Sequence, residues 1–119
     1  MPVQSDTSTI NNLLDLLGQR WSLRIIWELR DTHSQTFRLL QSSVEGISPA
    51  ALNKRVKELR AANIMELKAD GYALTKFGVE LVENFKPLNR WSQGWSKSVD
   101  KAAAKPLSKK ATAKKAAGK

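Results

Sequence analysis

The sequence predicts a mainly α-helical domain that carries one small β-hairpin, an α+β fold class. Apolar residues recur at spacings of three and four in several segments between residues 9 and 98. A short, loosely alternating segment is interrupted by Asp70-Gly71, a dipeptide typical of two-residue hairpin turns. The predicted organisation is a flexible N-terminus (1–8), a folded domain (9–98) and a disordered basic Lys/Ala-rich tail (99–119).

The first two helices are predicted from their apolar stripes and their end signals. The first covers residues 9–17, with Thr9 as its N-cap and Gly18 at its end. The second covers residues 20–31, with a stripe at i, i+4 and i+8 that begins at Trp21. Its wide apolar face predicts a well-buried helix.

The next two helices are predicted to form a close pair. The third begins near Phe37, with Ser34 or Thr36 as its N-cap. The fourth has Ser48 as its N-cap and Pro49 at the first helical position, where the missing N–H costs no hydrogen bond. A tight turn separates the two helices.

A hairpin and a long helix complete the domain. Asn63 is a suitable left-handed stop for the fourth helix, and residues 64–69 and 72–74 are predicted strands on either side of Asp70-Gly71. A last helix then runs from residue 76 to about residue 98, after a threonine cap. Two short helices followed directly by a hairpin are the plan of a winged helix-turn-helix, in which the second helix of the pair enters the major groove of DNA.

The outer face of the fourth helix fits that role. In ISPAALNKRVKEL, residues 47–59, a stripe centred on Leu52 faces the core, while Ala50, Lys54 and Lys57 project about 140° to 200° away from it. Asn53 lies on one flank; Arg55, on the other, is predicted either to contact DNA or to pair with Glu58 or Glu45. Asparagine can read adenine, lysine or arginine can read guanine, and cations further along reach phosphates. The predicted DNA-binding residues of the domain are Gln35, Thr36, Arg38, Ser48, Pro49, Ala50, Asn53, Lys54, Arg55, Lys57 and Lys68.

The formal charge of +9 is concentrated at the C-terminal end. Residues 101–119 contain seven lysines and no acidic residue, which leaves a net charge of only +2 for residues 1–100. A polycationic tail indicates a polyanionic partner, either nucleic acid or an anionic membrane surface. We predict DNA contacts from the tail; the alternative is a tail that only raises solubility. The tail residues predicted to contact DNA are Lys109, Lys110, Lys114 and Lys115.

The composition argues against several other classes of protein. No apolar run is long enough for a membrane span, and the polar start lacks the pattern of a secretory signal, so a cytoplasmic, nucleoid-associated protein is expected. The chain has no cysteine, which excludes disulfides and thiolate chemistry. The single histidine, His33, lies in a polar segment with no second ligand nearby, and no nucleophile–base pair stands out. We therefore expect no enzymatic activity, no metal and no cofactor.

Four segments in order resemble the HxlR-type regulators, relatives of the MarR group. They are LLGQRWSLRIIWEL at 16–29, which is similar to the family signature LLGGKWTLLILREL, FRLLQSSVEGISPAALNKRVKEL at 37–59, YALTKFGVEL at 72–81, and Trp91. The resemblance implies a winged-helix homodimer that binds double-stranded operator DNA and dimerises through its first and last helices. The residues that this implies for the dimer interface are Leu13, Leu14, Leu17, Phe85, Leu88, Trp91 and Trp95.

Four departures from the family pattern are visible. Thr36-Phe37 stands where the family commonly has Arg-Phe, and the wing around Asp70-Gly71 is shorter than usual. Several members sense electrophiles through a cysteine near the N-terminus, a mechanism that this cysteine-free chain does not share. The Lys/Ala tail instead resembles the tails of linker histones and of some bacterial nucleoid proteins.

Two other functions stay open from the sequence. An architectural protein that coats DNA with little sequence preference would also use the basic tail. A winged-helix protein-interaction module, with a tail that binds RNA or acidic partners, is the third reading. Binding to the protein's own upstream region compared with random DNA separates the first two, and failure to bind any duplex favours the third.

Overall fold

The computed structural model describes residues 6–31 and 33–103. It confirms a mainly helical fold with one antiparallel hairpin, in the predicted order of elements. The chain divides after Val82 into two compact units, so that helix α5 begins in the first unit and continues into the second. The elements are α1 Asp6–Leu17, α2 Ser22–Glu28, α3 Phe37–Ser43, α4 Pro49–Ala61, β1 Met65–Lys68, β2 Gly71–Leu74 and α5 Lys76–Ala103. None of the helices within the described ranges is long and apolar enough to cross a membrane.

Side-chain oxygens of Thr36, Ser48 and Thr75 cap α3, α4 and α5, as the sequence predicts. The Oγ of Ser48 accepts a hydrogen bond from the amide of Ala51 at 3.1 Å, and Pro49 occupies the first helical position. For α3 the cap is Thr36 rather than Ser34, and its Oγ1 accepts from Leu39 at 3.2 Å. These bonds satisfy amides that have no partner inside the helix, which fixes where each helix begins.

The first helix differs from its predicted bounds. It begins at Asp6, so Thr9 lies inside it and is not its cap, and residues 6–8 of the predicted N-terminal segment belong to the helix. Thr9 looked like the start because the apolar stripe begins at Ile10, but polar residues ahead of a stripe can extend a helix without packing. Residues 1–5 lie outside the described part of the chain.

The second helix is shorter than predicted, because a tight turn precedes it. The amide of Ser22 donates to the carbonyl of Gln19 at 3.1 Å, and Trp21 adopts a left-handed conformation with φ of 81°. Helical hydrogen bonding starts only when Ile25 donates to the carbonyl of Trp21. The sequence predicts Trp21 as the first member of the α2 stripe. In the structure it is instead a half-buried residue of the turn.

The core of the first unit joins α2, α3, α4 and the hairpin. The predicted stripe of α4 is confirmed, and that of α2 is confirmed without Trp21, because the other apolar residues of both stripes are almost completely buried. Helix α5 continues to Ala103, past the predicted end near residue 98, through a sequence that contains good helix formers. The fully buried side chains include Ile25, Ile26, Leu29, Leu40, Val44, Leu52, Val56, Leu59, Met65 and Val82.

The hairpin is confirmed, but its turn lies one residue earlier than predicted. Lys68 pairs with Gly71, so the two-residue loop is Ala69-Asp70 and Gly71 belongs to β2. Gly71 has φ of 137°, and a Cβ there would lie 2.6 Å from the carbonyl carbon and oxygen of Gln35. The glycine is needed because the Gln35 segment runs alongside β2: Gln35 and Tyr72 exchange two backbone hydrogen bonds, at 2.8 and 2.7 Å.

Gly78→Ala is expected to destabilise the domain strongly. A Cβ at Gly78 would lie 2.2 Å from the carbonyl oxygen of Ile64 and 3.0 Å from the Cβ of Leu74, so the first turns of α5 could not pack on the end of the hairpin. We expect a loss of about 2 kcal/mol or more in the free energy of unfolding, measured by urea denaturation.

Gly94→Ala is the matched control for that change. A Cβ at Gly94 meets no atom within 4 Å, so this substitution is expected to stabilise α5 by roughly 0.5–1 kcal/mol through helix propensity alone. Equal stability of the Gly78→Ala variant and the wild type would contradict the close packing at Ile64.

Candidate nucleic-acid interface

Helix α4 presents a smooth, positively charged face away from the core. Leu52, Val56 and Leu59 are buried at 1% exposure or less and hold the helix to the domain. The side chains on the other side of the helix are exposed, as the helical projection predicts. These exposed residues are Ala50, Asn53, Lys54 and Lys57.

The turn before α4 places α3 beside it, which completes a helix-turn-helix. Val44 and Ile47 are buried on either side of the turn. Thr36 and Arg38 are exposed at the start of α3, and Ser48 is exposed at the start of α4. The amides of a first helical turn have no intrahelical acceptor, and they suit a phosphate oxygen.

Two of the predicted contact residues are engaged inside the domain instead. The Arg55 side chain is only 12% exposed and forms an ion pair with Glu58, which is one of the two alternatives that the sequence left open. The Nε2 of Gln35 donates to the carbonyl of Glu28 at 2.9 Å, and its Oε1 accepts from the hydroxyl of Ser43 at 3.3 Å. Gln35 therefore joins the end of α2 and the end of α3 through its side chain, and the hairpin through its backbone.

The cations of α4 and of the wing remain uncompensated. Among the described residues, the ion pairs are Arg24–Glu28, Arg55–Glu58 and Lys86–Glu83. No pair within these ranges involves the exposed cations of the interface, so their charge faces solvent undiminished. These cations are Lys54, Lys57 and Arg60 on α4 and Lys68 at the end of β1.

The predicted dimer residues have mixed exposure. In α1, Leu14 is 56% exposed and Leu13 is half-buried, whereas Leu17 is buried within its own unit. In the second unit, Phe85 is half-buried and an exposed apolar stripe follows along α5. The stripe consists of Leu88, Trp91, Trp95 and Val99, with exposures of 52%, 61%, 55% and 45%.

The remaining predictions concern the tail and metal binding. Lys109, Lys110, Lys114 and Lys115 lie outside the described residues. His33 is exposed, and within residues 6–31 and 33–103 no three His, Cys, Asp or Glu side chains are grouped as a metal site would require.

The pattern of the HxlR-like helix-turn-helix family matches residues 16–100. The chain belongs to the HxlR-like helix-turn-helix family. The predicted resemblance is therefore confirmed, and this HxlR-like protein belongs to a family of DNA-binding transcriptional regulators. A curated relative, an uncharacterised HTH-type transcriptional regulator of Methanocaldococcus jannaschii, is 23% identical over 87 residues, which cover 70% of this chain and 81% of the relative.

Solved structures show the same fold. Quinone-bound YodB of Bacillus subtilis is 30% identical, with a TM-score of 0.67 over 72% of this chain and 97% of YodB. A possible HxlR family transcription factor of Thermoplasma volcanium is 29% identical, with a TM-score of 0.65 over 71% of this chain and 82% of that protein. A MarR family regulator of Enterococcus faecalis, at 18% identity and a TM-score of 0.68, covers 85% of this chain and 97% of its own and supports the winged-helix fold alone.

Proposed function

We propose that this HxlR-like protein is a sequence-specific transcription regulator that binds double-stranded DNA as a homodimer, with α4 in the major groove. The outer face of α4 carries the proposal: it is exposed and basic, and it is held between α3 and the wing of a helix-turn-helix regulator. Such a protein would act at the nucleoid, in the cytoplasm. Its operator would contain two half-sites related by the symmetry of the dimer.

The residues of this face divide into those that read bases and those that position the helix. Ala50 has a small side chain, which lets the start of α4 approach the floor of the groove. Asn53 and Lys54 are assigned to base edges, because asparagine pairs with adenine and lysine with guanine. The residues assigned to the phosphate backbone are Thr36, Arg38, Ser48, Pro49, Lys57 and Lys68.

The basic tail is assigned a different task in the same proposal. With seven lysines in residues 101–119, it would neutralise phosphates of any sequence and release their counterions. The domain would then determine where the protein binds, and the tail much of how tightly. Neither role requires a cofactor or a metal.

A quantitative gel shift tests the proposal. The protein's own upstream region and a random duplex of equal length are titrated at two salt concentrations. We expect tighter binding to the upstream region at both, with the ratio of affinities largest at high salt, where sequence-independent contacts weaken. Equal affinities at both concentrations would contradict sequence-specific binding.

An architectural role is the second candidate, and the basic tail favours it, whereas the nearly neutral domain does not. All but +2 of the net charge of +9 lies in residues 101–119. A protein that coats DNA would show equal affinity for both duplexes and binding that saturates along long DNA. In that case the exposed face of α4 would not recognise specific bases.

The double substitution Asn53→Ala with Lys54→Ala is expected to remove most of the preference for the operator. Each good base contact contributes about 1–3 kcal/mol of discrimination, so the loss of two contacts should lower the ratio of operator to random affinity about 30-fold or more. Competition gel shifts measure this ratio. Both side chains are exposed, so the fold should be unchanged.

Lys97→Ala is the matched control, since it removes one exposed lysine from α5 in the second unit. It should leave the ratio unchanged. A ratio that survives the Asn53 and Lys54 substitutions, with fold and oligomeric state intact, would move base reading to another element.

A further inference from the structure

A polar depression lies between the C-terminal half of α4 and the first strand of the wing. Lys57, Arg60 and Ala61 line it on the helix side, and Met65 and Glu66, the first two residues of β1, line it on the strand side. It is open to solvent rather than enclosed. The turn at Asn63, which has φ of 60°, directs the chain from the helix into the strand and so brings the two rims together.

The helix rim of the depression continues the face assigned to base reading. In a helical projection centred on Leu52, Asn53 lies about 100° away, Lys57 about 140° and Arg60 about 80°, all on the same flank. Asn53, Lys57 and Arg60 thus form a line along α4 at spacings of four and three residues. Because Lys57 and Arg60 line the depression, this is the flank that faces the wing.

The charges around the depression are of both signs. Lys57 and Arg60 are exposed, and no ion pair between described residues engages either of them. Glu66 is exposed on the opposite rim and is likewise in none of these pairs. Ala61, which also lines the depression, has a small side chain that takes up little of its space.

We propose that this depression binds a backbone phosphate of duplex DNA. The phosphate lies where the DNA strand passes from the major groove at α4 to the wing. Lys57 and Arg60 donate hydrogen bonds to the phosphate oxygens, and the planar guanidinium fixes the orientation of the group. Glu66 opposes the phosphate and limits the affinity for DNA of any sequence. This inference rests on the proposed function, since it takes α4 as the helix that enters the groove.

Opposite changes at the two rims test the site. The full-length protein and its Lys57→Ala, Arg60→Ala and Glu66→Gln variants are titrated by fluorescence anisotropy with the upstream and random duplexes over a range of salt. Each cation variant is expected to weaken binding to both duplexes about fivefold and to lower the salt slope by about 0.9. Glu66→Gln is expected to strengthen binding to both duplexes about two- to fivefold, because it removes a repulsion from the phosphate.

The controls change the same charges elsewhere in the chain. Lys97→Ala and Asp100→Asn alter exposed residues of α5 in the second unit and should change either affinity less than twofold. The proposal is overturned if Glu66→Gln leaves affinity unchanged or lowers it, or if the controls shift affinity as much as the rim variants. Thermal unfolding of each variant checks that the fold is retained.

Two further outcomes separate this inference from the function on which it rests. If Asn53→Ala with Lys54→Ala removes discrimination while the rim variants change nothing, the phosphate seat fails and the regulator stands. If no duplex is preferred but the rim variants shift affinity as expected, the seat stands and sequence-specific reading fails. Inorganic phosphate, exchanged for chloride at constant ionic strength, should compete weakly with DNA in the wild type and less in the Arg60→Ala variant. If inorganic phosphate binds in an Arg60-dependent way while the rim variants leave DNA affinity unchanged, the depression takes a free anion and the proposal is overturned.

Discussion

Deletion of residues 104–119 is expected to weaken binding to every duplex about 100-fold at 0.1 M salt. The deletion removes six of the seven tail lysines and leaves α5 whole, because the helix ends at Ala103. Each phosphate that a lysine no longer neutralises lowers the log–log salt slope by about 0.9, so the slope should fall by up to about 5. Anisotropy titrations at four or five salt concentrations measure both quantities.

Two tail variants identify which property of the tail matters. A tail with the same residues in scrambled order should bind like the wild type, because counterion release depends on charge and not on order. A tail with glutamine in place of each lysine should behave like the deletion. The ratio of operator to random affinity should be unchanged in all three proteins. Loss of that ratio on deletion would show that the tail takes part in reading the sequence.

If the tail supplies most of the sequence-independent affinity, the role of Glu66 is to keep the affinity of the domain for arbitrary DNA low. A domain of net charge close to +2 avoids binding tightly to arbitrary DNA, which keeps the base contacts of α4 decisive. A strongly basic domain joined to the same tail would raise affinity everywhere and lower specificity. Glu66→Gln should therefore raise the affinity for DNA of any sequence, and deletion of the tail should lower it.

The features that the sequence predicted correctly are those with local causes. The cap at Ser48 and the left-handed stop at Asn63 each depend on a few neighbouring residues, and so does the buried stripe centred on Leu52. The position of the hairpin turn depended on more than its dipeptide. Gly71 is glycine because the backbone of Gln35 approaches it, a contact between segments far apart in the chain.

In the candidate site too, the sequence predicts features with local causes but not contacts between distant segments. A projection of α4 alone places Asn53 and Lys54 outward, and the structure agrees. The projection cannot show that Glu66 faces Arg60, since that depends on the turn between helix and strand. Nor does any local signal show that the Gln35 side chain joins the ends of α2 and α3, whereas the Arg55–Glu58 pair is visible in its spacing of three residues.

Trp91→Asp combined with Trp95→Asp is expected to convert the protein to a monomer and to weaken operator binding 100-fold or more. The two indole rings are exposed and stacked, with centroids 6.0 Å apart and planes 8° apart. Together with Leu88 they form an exposed apolar patch on α5. Apolar patches that contain tryptophan are typically buried in protein–protein interfaces. We propose that a second copy of the chain covers it, with Leu13 and Leu14 of α1 and Phe85 also at the interface.

The loss of DNA affinity follows from the loss of the dimer. A dimer places its second α4 at a high effective concentration near the second half-site, which raises affinity about 10²- to 10⁴-fold over one half-site. Sedimentation velocity measures the oligomeric state, and the operator titration measures the affinity of the same sample. A monomeric variant should bind a single half-site as well as the wild-type protomer does.

A matched pair of substitutions separates loss of the apolar patch from the added negative charge. Asn89→Asp with Gln93→Glu introduces two carboxylates on exposed positions of the same helix that lie roughly 100° or more from the Trp95 direction. This variant should remain dimeric and lose only the few-fold affinity that two added negative charges cost. If it also dissociates, charge rather than the apolar patch controls assembly; if the tryptophan variant stays dimeric, another surface holds the two copies together. Either result would require a new placement of the two recognition helices relative to the half-sites.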